Sequence, residues 1–153
     1  MRHFVVTVGC EFGSGGPEIG KMLASSMGIE YYDRDLVDKV VEKIGVDKAL
    51  VEQADNKNFV PFGINTSLGT RYANLSNKVI YTQFEVIHKM ARHSCVIIGR
   101  CSDYILKDEP NAINVFIYAP EEKRIQAVVD KMHVTKKRAL ELIHEYDSML
   151  HRR

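Results

Sequence analysis

The chain contains 153 residues, of which 45% are hydrophobic, and its formal net charge is +1 at pH 7. This length is typical of one domain, and the apolar fraction is sufficient for a buried core. The near-zero charge gives no indication of a nucleic-acid partner or of a membrane surface. No apolar run reaches the roughly 20 residues that a membrane span requires.

The cysteines indicate a reducing compartment. Cys10, Cys95 and Cys101 are odd in number, and they form neither a CxxC pair nor a metal-ligand spacing. Such a set predicts thiols rather than disulfides or a zinc site. The chain passes from Met1 into an apolar stretch without the pattern of a signal peptide. We therefore expect a cytoplasmic protein with no metal ligands of its own.

The first elements in the chain are a strand, a glycine loop and a helix. Residues 4–8 form a continuous apolar run, as in a strand covered on both faces. The glycine loop, Gly9–Gly16, follows directly, and a helix is predicted from about Pro17 to Met27. Gly28 then ends this helix as a C′ glycine. The predicted buried face of the helix consists of Ile19, Met22, Leu23 and Met27.

The order of strand, glycine loop and helix favours phosphate binding over an ordinary turn. Glycines allow backbone N–H groups to point inward, and the helix N-terminus adds partial positive charge. The match to a Walker A loop is incomplete, because Gly16, Pro17 and Glu18 follow the Gly-Ser-Gly turn, so the lysine and the hydroxyl of that motif are missing. The nearest lysine, Lys21, is about a turn into the helix. The glycine spacing does not fit a dinucleotide fingerprint either.

The next part of the chain contains a short strand and a long loop. Residues 29–32 are predicted to form the second strand, and Asp33 ends it. The pattern then predicts a helix over 36–44 and a further helical piece over 46–53. Residues 54–69 are rich in loop formers, and a loop of this length in a compact domain is usually functional or mobile.

Two more strands follow. A long helix is predicted over about 74–93, and the third strand over 95–98 ends at Gly99-Arg100. The fourth strand is predicted over 112–118. The buried stripe of the long helix consists of Ile80, Phe84, Ile87 and Ala91.

Two helices complete the sequence. Pro120 opens the first, and Thr135 is predicted to cap the second. The inward residues of the first are Ile125, Val128 and Val129. Those of the second are Ala139, Leu142, Ile143, Tyr146 and Met149.

Strands that alternate with helices predict an α/β fold with a central parallel sheet and helices on both faces. Ligands of such sheets bind at the carboxyl ends of the strands. Gly9, Asp33 and Gly99-Arg100 all lie at those predicted ends.

The sequence resembles the cytidylate kinase-like family, whose members are relatives of the nucleoside monophosphate kinases. The resemblance covers almost the whole chain and becomes specific when the motifs are taken together. The matching motifs, in order, are Glu11-Phe12-Gly13-Ser14-Gly15-Gly16 with Glu18-Ile19-Gly20, Tyr31-Tyr32-Asp33, Cys95-Val96-Ile97-Ile98-Gly99-Arg100-Cys101 with Asp103-Tyr104-Ile105-Leu106, and Val115-Phe116-Ile117-Tyr118-Ala119-Pro120 with Arg124-Ile125.

The resemblance implies a three-layer sandwich of the P-loop NTPase type with a mobile lid. It implies transfer of the ATP γ-phosphoryl group to CMP or dCMP with Mg²⁺, so the expected partner is a small nucleotide. Residues 1–153 would form a single domain that lacks the strand and helix with which the family continues. A sheet without its last strand exposes an edge, which we expect further residues or a second copy in a homo-oligomer to cover.

The resemblance also implies roles for particular residues. Gly13, Ser14, Gly15 and Gly16 would surround the ATP phosphates, and Asp33 would lie in the monophosphate region. The implied catalytic residues are Arg100, Arg124 and Arg152, and Arg100 would also bind the acceptor phosphate, since a guanidinium group suits phosphate. Arg124, Arg152 and Arg153 would lie near the lid.

Each of these residues also has a purely structural interpretation. Asp33 can cap a helix, and Arg100 can pair with a surface acid. Arg124 has the charged neighbours Glu121, Glu122 and Lys123, which predict a solvated helix face. Arg152 is in a terminal segment that can fray.

The departures from the family leave three hypotheses open. Family members often carry arginine at the positions of Cys10 and Pro17, and the lid helix usually has an arginine three residues after its Asp, where Asp147 is followed by Leu150. The first hypothesis is a cytidine monophosphate kinase. The second is a nucleotide-binding regulatory module that has lost turnover, and the third is an interaction protein with an empty loop.

Overall fold

The computed structural model describes residues 3–33, 81–99 and 101–150. Several predictions fall outside these residues and stay predictions. They concern the helices over 36–44 and 46–53, the loop over 54–69, Ile80, Arg100, Arg152, Arg153 and the side chain of Met149.

The described residues form four strands and five helices, numbered here in chain order. The strands are β1 (Val5–Cys10), β2 (Glu30–Tyr32), β3 (Cys95–Ile98) and β4 (Ala112–Ile117). The helices are α1 (Gly16–Met27), α2 (81–90), α3 (Ser102–Ile105), α4 (Glu121–Met132) and α5 (Lys136–Leu150). None of these helices is both long enough and apolar enough to cross a membrane.

The strands form one parallel sheet in the order β2-β3-β1-β4. β1 lies between β3 and β4, with Val5 opposite both Cys95 and Ala112. Each crossover between these parallel strands requires a long connection, which the alternating helices supply. The predicted α/β fold with a parallel sheet is therefore confirmed.

Helices cover both faces of the sheet. On one face, Val5 and Ile97 pack with Ile87 of α2 and with Leu106. On the other, Val8 and its neighbours pack with Ala24 of α1. Because successive strand residues point to opposite faces, strands buried on both sides read as the continuous apolar runs of the sequence.

The predicted buried face of α1 is wrong for three of its four residues. Ile19, Met22 and Met27 are 49%, 71% and 48% exposed, and Leu23 alone packs against the core. The residues that α1 buries are Gly16, Gly20 and Ala24. A Cβ atom on Gly20 would lie 2.5 Å from Cδ1 of Ile98. The helix approaches the sheet too closely for large side chains, so its small residues form the contact.

The two ends of the predicted α1 are confirmed. Gly28 has a φ of 64°, and its N–H group bonds to the carbonyl groups of Ala24 and Ser25, as in a glycine C-cap. At the start, Pro17 occupies the first turn, where its missing N–H group leaves no hydrogen bond unmade.

α4 and α5 form a helical pair with its own apolar cluster. The buried residues of this cluster are Val128, Ala139, Leu142 and Ile143, and Ile125 and Val129 pack against it. Thr135 caps α5, because its Oγ1 accepts a hydrogen bond from the Arg138 N–H group at 3.2 Å. Phe12 of the glycine loop also packs against the cluster. The loop therefore joins the sheet to this helical pair.

β4 lies at an edge of the described sheet and carries apolar side chains that face solvent. Ile113 and Phe116 are 53% and 52% exposed, and Tyr118 beyond the strand is 76% exposed. An exposed apolar edge strand can pair with another strand, which would cover it. The structure does not identify what covers it, so that expectation stays a prediction.

Candidate functional site

The carboxyl ends of three strands bring the predicted site residues to one edge of the sheet. Gly99 donates its N–H group to the carbonyl oxygen of Val8 at 2.9 Å, so the end of β3 lies beside the start of the glycine loop. Asp33 directly follows β2, whose Tyr32 is level with Ile97 of β3. Arg100 follows Gly99 in the sequence but is outside the described residues.

The glycine loop turns through two left-handed residues before α1 begins. Gly13 and Gly15 have φ values of 79° and 84°, which favour glycine. Ser14 stabilises the turn internally, because its Oγ donates a 2.7 Å hydrogen bond to the carbonyl oxygen of Glu11. Gly15 is the N-cap of α1, so the N–H group of Gly16 has no acceptor within the helix. This end of the loop has the geometry of an anion site.

Three of the four loop glycines are required for different reasons. A Cβ atom on Gly13 would lie 2.9 Å from Cγ2 of Val128 and 3.0 Å from the carbonyl oxygen of Arg124. One on Gly16 would lie 2.5 Å from Sγ of Cys10. One on Gly15 would meet no atom within 4 Å. Gly13 and Gly16 therefore allow close packing, whereas Gly15 borders open space.

An ion-pair network around the buried Arg124 holds the first part of the loop. It consists of Glu11, Arg124 and Asp147. Arg124 donates through Nη1 to Oδ2 of Asp147 at 2.6 Å, and its Nε lies 3.4 Å from Oε2 of Glu11. The same Glu11 oxygen accepts a hydrogen bond from the Ala119 N–H group at 3.3 Å. The loop is thereby connected to the end of β4, to α4 and to α5.

Phe12 is held by the same helices. Its N–H group donates to Oδ1 of Asp147 at 3.3 Å, and its carbonyl oxygen accepts from Arg124 Nη1 at 3.5 Å. Its ring stacks on Tyr146, with centroids 4.4 Å apart and planes 9° from parallel. A stacked pair of this kind contributes about 0.5–1.5 kcal/mol beyond its burial.

The prediction that Arg124 lies on a solvated helix face is wrong. The residue is 7% exposed, and its ion pairs link it to two acids that are far away in the sequence. The Nε atom is buried and faces Oε2 of Glu11 at 3.4 Å, where it forms an ion pair without a hydrogen bond. The position indicates a structural role, and the catalytic role implied for Arg124 stays a prediction.

At the N-terminus of α1, the acid Glu18 is paired with a lysine from another helix. Lys131 of α4 donates a 2.6 Å hydrogen bond to Oε1 of Glu18. This bond, together with a bond from the backbone N–H of Glu18, lowers the pKa of that carboxyl group below its usual value. Burial, and then the charge of Glu18, raises the pKa of Cys10. The first turn of α1 contains Pro17, and the thiol of Cys10 lies beside its first residue, Gly16.

Sequence reasoning missed Glu11, Asp147 and Lys131 as contributors to the site. Glu11 offered a signal, since an acid inside a loop that is predicted to bind anions requires a cation nearby. Asp147 entered the sequence analysis only as the Asp of the lid helix, and Lys131 gave no signal, because the contacts of both depend on how distant helices pack. Among the described residues, no group of three or more His, Cys, Asp or Glu side chains is arranged to hold a metal ion.

Comparisons with known proteins agree with this fold. The crystal structure of an uncharacterized protein from Eubacterium ventriosum ATCC 27560 is similar, with a TM-score of 0.71 and 27% sequence identity. The alignment covers 96% of this chain and 73% of that one. No curated protein matches the sequence. The family model described as the cytidylate kinase-like family matches residues 5–153. The chain belongs to the cytidylate kinase-like family.

Proposed function

We propose that the protein transfers the γ-phosphoryl group of ATP to a cytidine monophosphate, CMP or dCMP. The observation that carries this proposal is the left-handed turn at Gly13 and Gly15 ahead of α1, in a chain of this family. The N–H groups after the turn suit the ATP phosphates, and open space lies beside Gly15.

The proposed reaction is a direct displacement. An oxygen of the acceptor monophosphate attacks the γ-phosphorus atom, the bond from that atom to the β-phosphate oxygen breaks, and ADP leaves with the electron pair. Mg²⁺ enters as the ATP complex and supplies charge neutralisation, with phosphate oxygens and waters as its main ligands. The chain's own contribution is to position two anions that repel each other. In the proposal Arg100 orients the acceptor phosphate, and Asp33 borders the acceptor at the end of β2.

A second candidate function is a nucleotide-binding module without turnover. Two observations at the start of α1 favour it. The first turn carries Pro17 instead of a cation, and the acid that follows, Glu18, is paired with Lys131 of α4. A phosphate there would meet backbone N–H groups but no arginine at positions 10 or 17. Binding would then be retained while stabilisation of the transferring phosphoryl group is reduced.

A single set of measurements separates the two candidates. ATP binding is measured by calorimetry, and ADP formation is measured in a coupled assay with CMP, dCMP, UMP, AMP and GMP as acceptors. The kinase proposal expects ADP formation with CMP or dCMP well above that with the other acceptors. Binding of ATP without turnover on any acceptor would instead support the binding module. A protein that binds no nucleotide would contradict both.

A further inference from the structure

We propose that α5 positions the glycine loop for the ATP phosphates through two contacts to Phe12, one from Asp147 and one from Tyr146. This inference rests on the proposed function, and it assigns Asp147 as a positioning residue rather than a catalytic one. Asp147 touches the loop backbone and Arg124, and its effect on the nucleotide is transmitted through the loop.

The peptide groups on either side of Phe12 are both held by hydrogen bonds. Its N–H group is bonded to Asp147, and its carbonyl oxygen is bonded to Arg124, which is itself bonded to Asp147. One ion pair therefore fixes both hydrogen-bonding groups of a single residue. A residue held at both groups has little freedom to rotate its peptide planes.

The backbone after Phe12 depends on this anchor for its direction. Gly13 has no Cβ atom and occupies a left-handed conformation, so its own preferences restrict the backbone weakly. The direction of the next N–H groups, including that of Gly16, then depends on the groups that hold the chain just before Gly13, together with the bonds of Ser14 to the Glu11 carbonyl oxygen. In this structure Asp147, Arg124 and the ring of Tyr146 hold it.

The ion pair that reaches the loop is also the buried one. The side chains of Arg124 and Asp147 are 9% and 17% exposed, so water competes little for their hydrogen bonds. By contrast, the 3.4 Å contact of His144 Nε2 with Glu121 Oε2, which also joins α5 to α4, is between side chains that are 64% and 54% exposed. The pair of Arg124 with Asp147 is therefore the one suited to fixing the loop.

The test compares Asp147→Asn with Ile143→Val. The first variant keeps the shape of the side chain and removes its charge. The second loosens the same helical pair, because Ile143 is fully buried in the α4–α5 cluster, and it removes no hydrogen bond to the loop. The amide signals of Gly13, Gly15 and Gly16 are recorded by ¹H–¹⁵N NMR without nucleotide, and the ATP dissociation constant is measured by calorimetry.

Asp147→Asn is expected to shift the three glycine amide signals and to raise the ATP dissociation constant about tenfold. Ile143→Val is expected to lower the melting temperature while leaving the amide signals and the ATP dissociation constant unchanged. The inference is overturned if Asp147→Asn leaves the amide signals unmoved and the constant within about twofold. It is equally overturned if Ile143→Val changes the glycine amide signals and the ATP dissociation constant as much as Asp147→Asn does.

Tyr146→Leu provides an independent variant if Asp147→Asn does not fold. Tyr146 is 39% exposed, so its replacement removes the stacked ring from Phe12 without opening a sealed core. The same shifts of the glycine signals and weaker ATP binding are expected, and unchanged values would overturn the inference. If the wild-type protein binds no ATP, the proposed function fails, whereas the nucleotide-free spectra still decide whether α5 positions the loop.

Discussion

Gly13 and Arg124 approach so closely that a Cβ atom on the glycine would lie 3.0 Å from the arginine carbonyl oxygen. The glycine loop and the first turn of α4 are thus in backbone contact. Gly13 is required here by packing as well as by its φ of 79°. The contact predicts which loop substitutions affect the fold and which affect the ligand.

The first prediction compares two alanine substitutions in the loop. Gly15→Ala should lower the free energy of unfolding by about 1–2 kcal/mol, because alanine is strained in the left-handed region. Gly13→Ala should lower it by about 2–4 kcal/mol, because the added carbon also overlaps α4. Urea denaturation of the two variants measures the difference. Equal losses would contradict the assigned packing role of Gly13.

The second prediction concerns Gly15→Val and ATP. Gly15 borders open space in the protein, so a valine there is strained by its φ and projects toward the proposed phosphate site. The ATP dissociation constant, measured by calorimetry, should rise about tenfold or more relative to Gly15→Ala. If the valine variant is folded and binds ATP as the wild type does, the loop is not the phosphate site.

The third prediction concerns Arg100, which follows Gly99 in sequence. A charge-assisted contact to the acceptor phosphate is worth about 1.5–3 kcal/mol. Arg100→Ala should therefore lower kcat/KM for the monophosphate about ten- to a hundredfold, with ATP binding and melting temperature little changed. Arg100→Lys serves as the matched control, because it keeps the charge and loses the forked geometry. Wild-type turnover in the alanine variant would remove Arg100 from the site.

The strands and several caps could be predicted because their signals are local. The apolar runs of β1 and β3 reflect burial on both faces, and the caps at Gly28 and Thr135 depend on residues nearby in the sequence. The buried face of α1 could not be predicted, because its small residues make the contact with the sheet while its larger ones remain exposed. The burial of Arg124 escaped prediction for a related reason, since its sequence neighbours are charged and its partners are distant.

The fourth prediction concerns pH and the pair of Glu18 with Lys131. Lys131→Gln should raise the pKa of Glu18 toward 4.5, because the bond to Lys131 is the largest cause of its depression. A depressed carboxyl pKa stabilises the fold above pH 4.5, and this contribution is lost as the pH falls through the lower, folded value.

Carbon-13 NMR titration of the carboxyl group measures the shift in the pKa of Glu18. Both side chains are largely exposed, so the effect of Lys131→Gln on stability at pH 7 should be at most about 1 kcal/mol. It should shrink in 1 M salt, where charges are screened within about 3 Å. An unchanged pKa of Glu18 would show that the pair does not persist in solution.

The fifth prediction concerns the reactivity of Cys95. Burial, and then the charge of Glu30, raises the pKa of its thiol to about 11, and the side chain is fully buried. At pH 8 only about one molecule in a thousand would carry the reactive thiolate. Iodoacetamide should therefore label the half-buried Cys101 in the native protein well before Cys95, as measured by peptide mass spectrometry. Labelling of Cys95 at the same rate before and after denaturation would contradict its burial.

The contact between Phe12 and Asp147 spans 135 positions of the chain. The glycine loop is encoded early, but its support comes from the last helix that the structure describes. Contacts between such distant residues are slow to form, because the intervening chain must first lose its freedom. A growing polypeptide therefore has the residues of the loop long before it has the support for them. Nucleotide binding should consequently appear as a late event of folding, after α5 has docked.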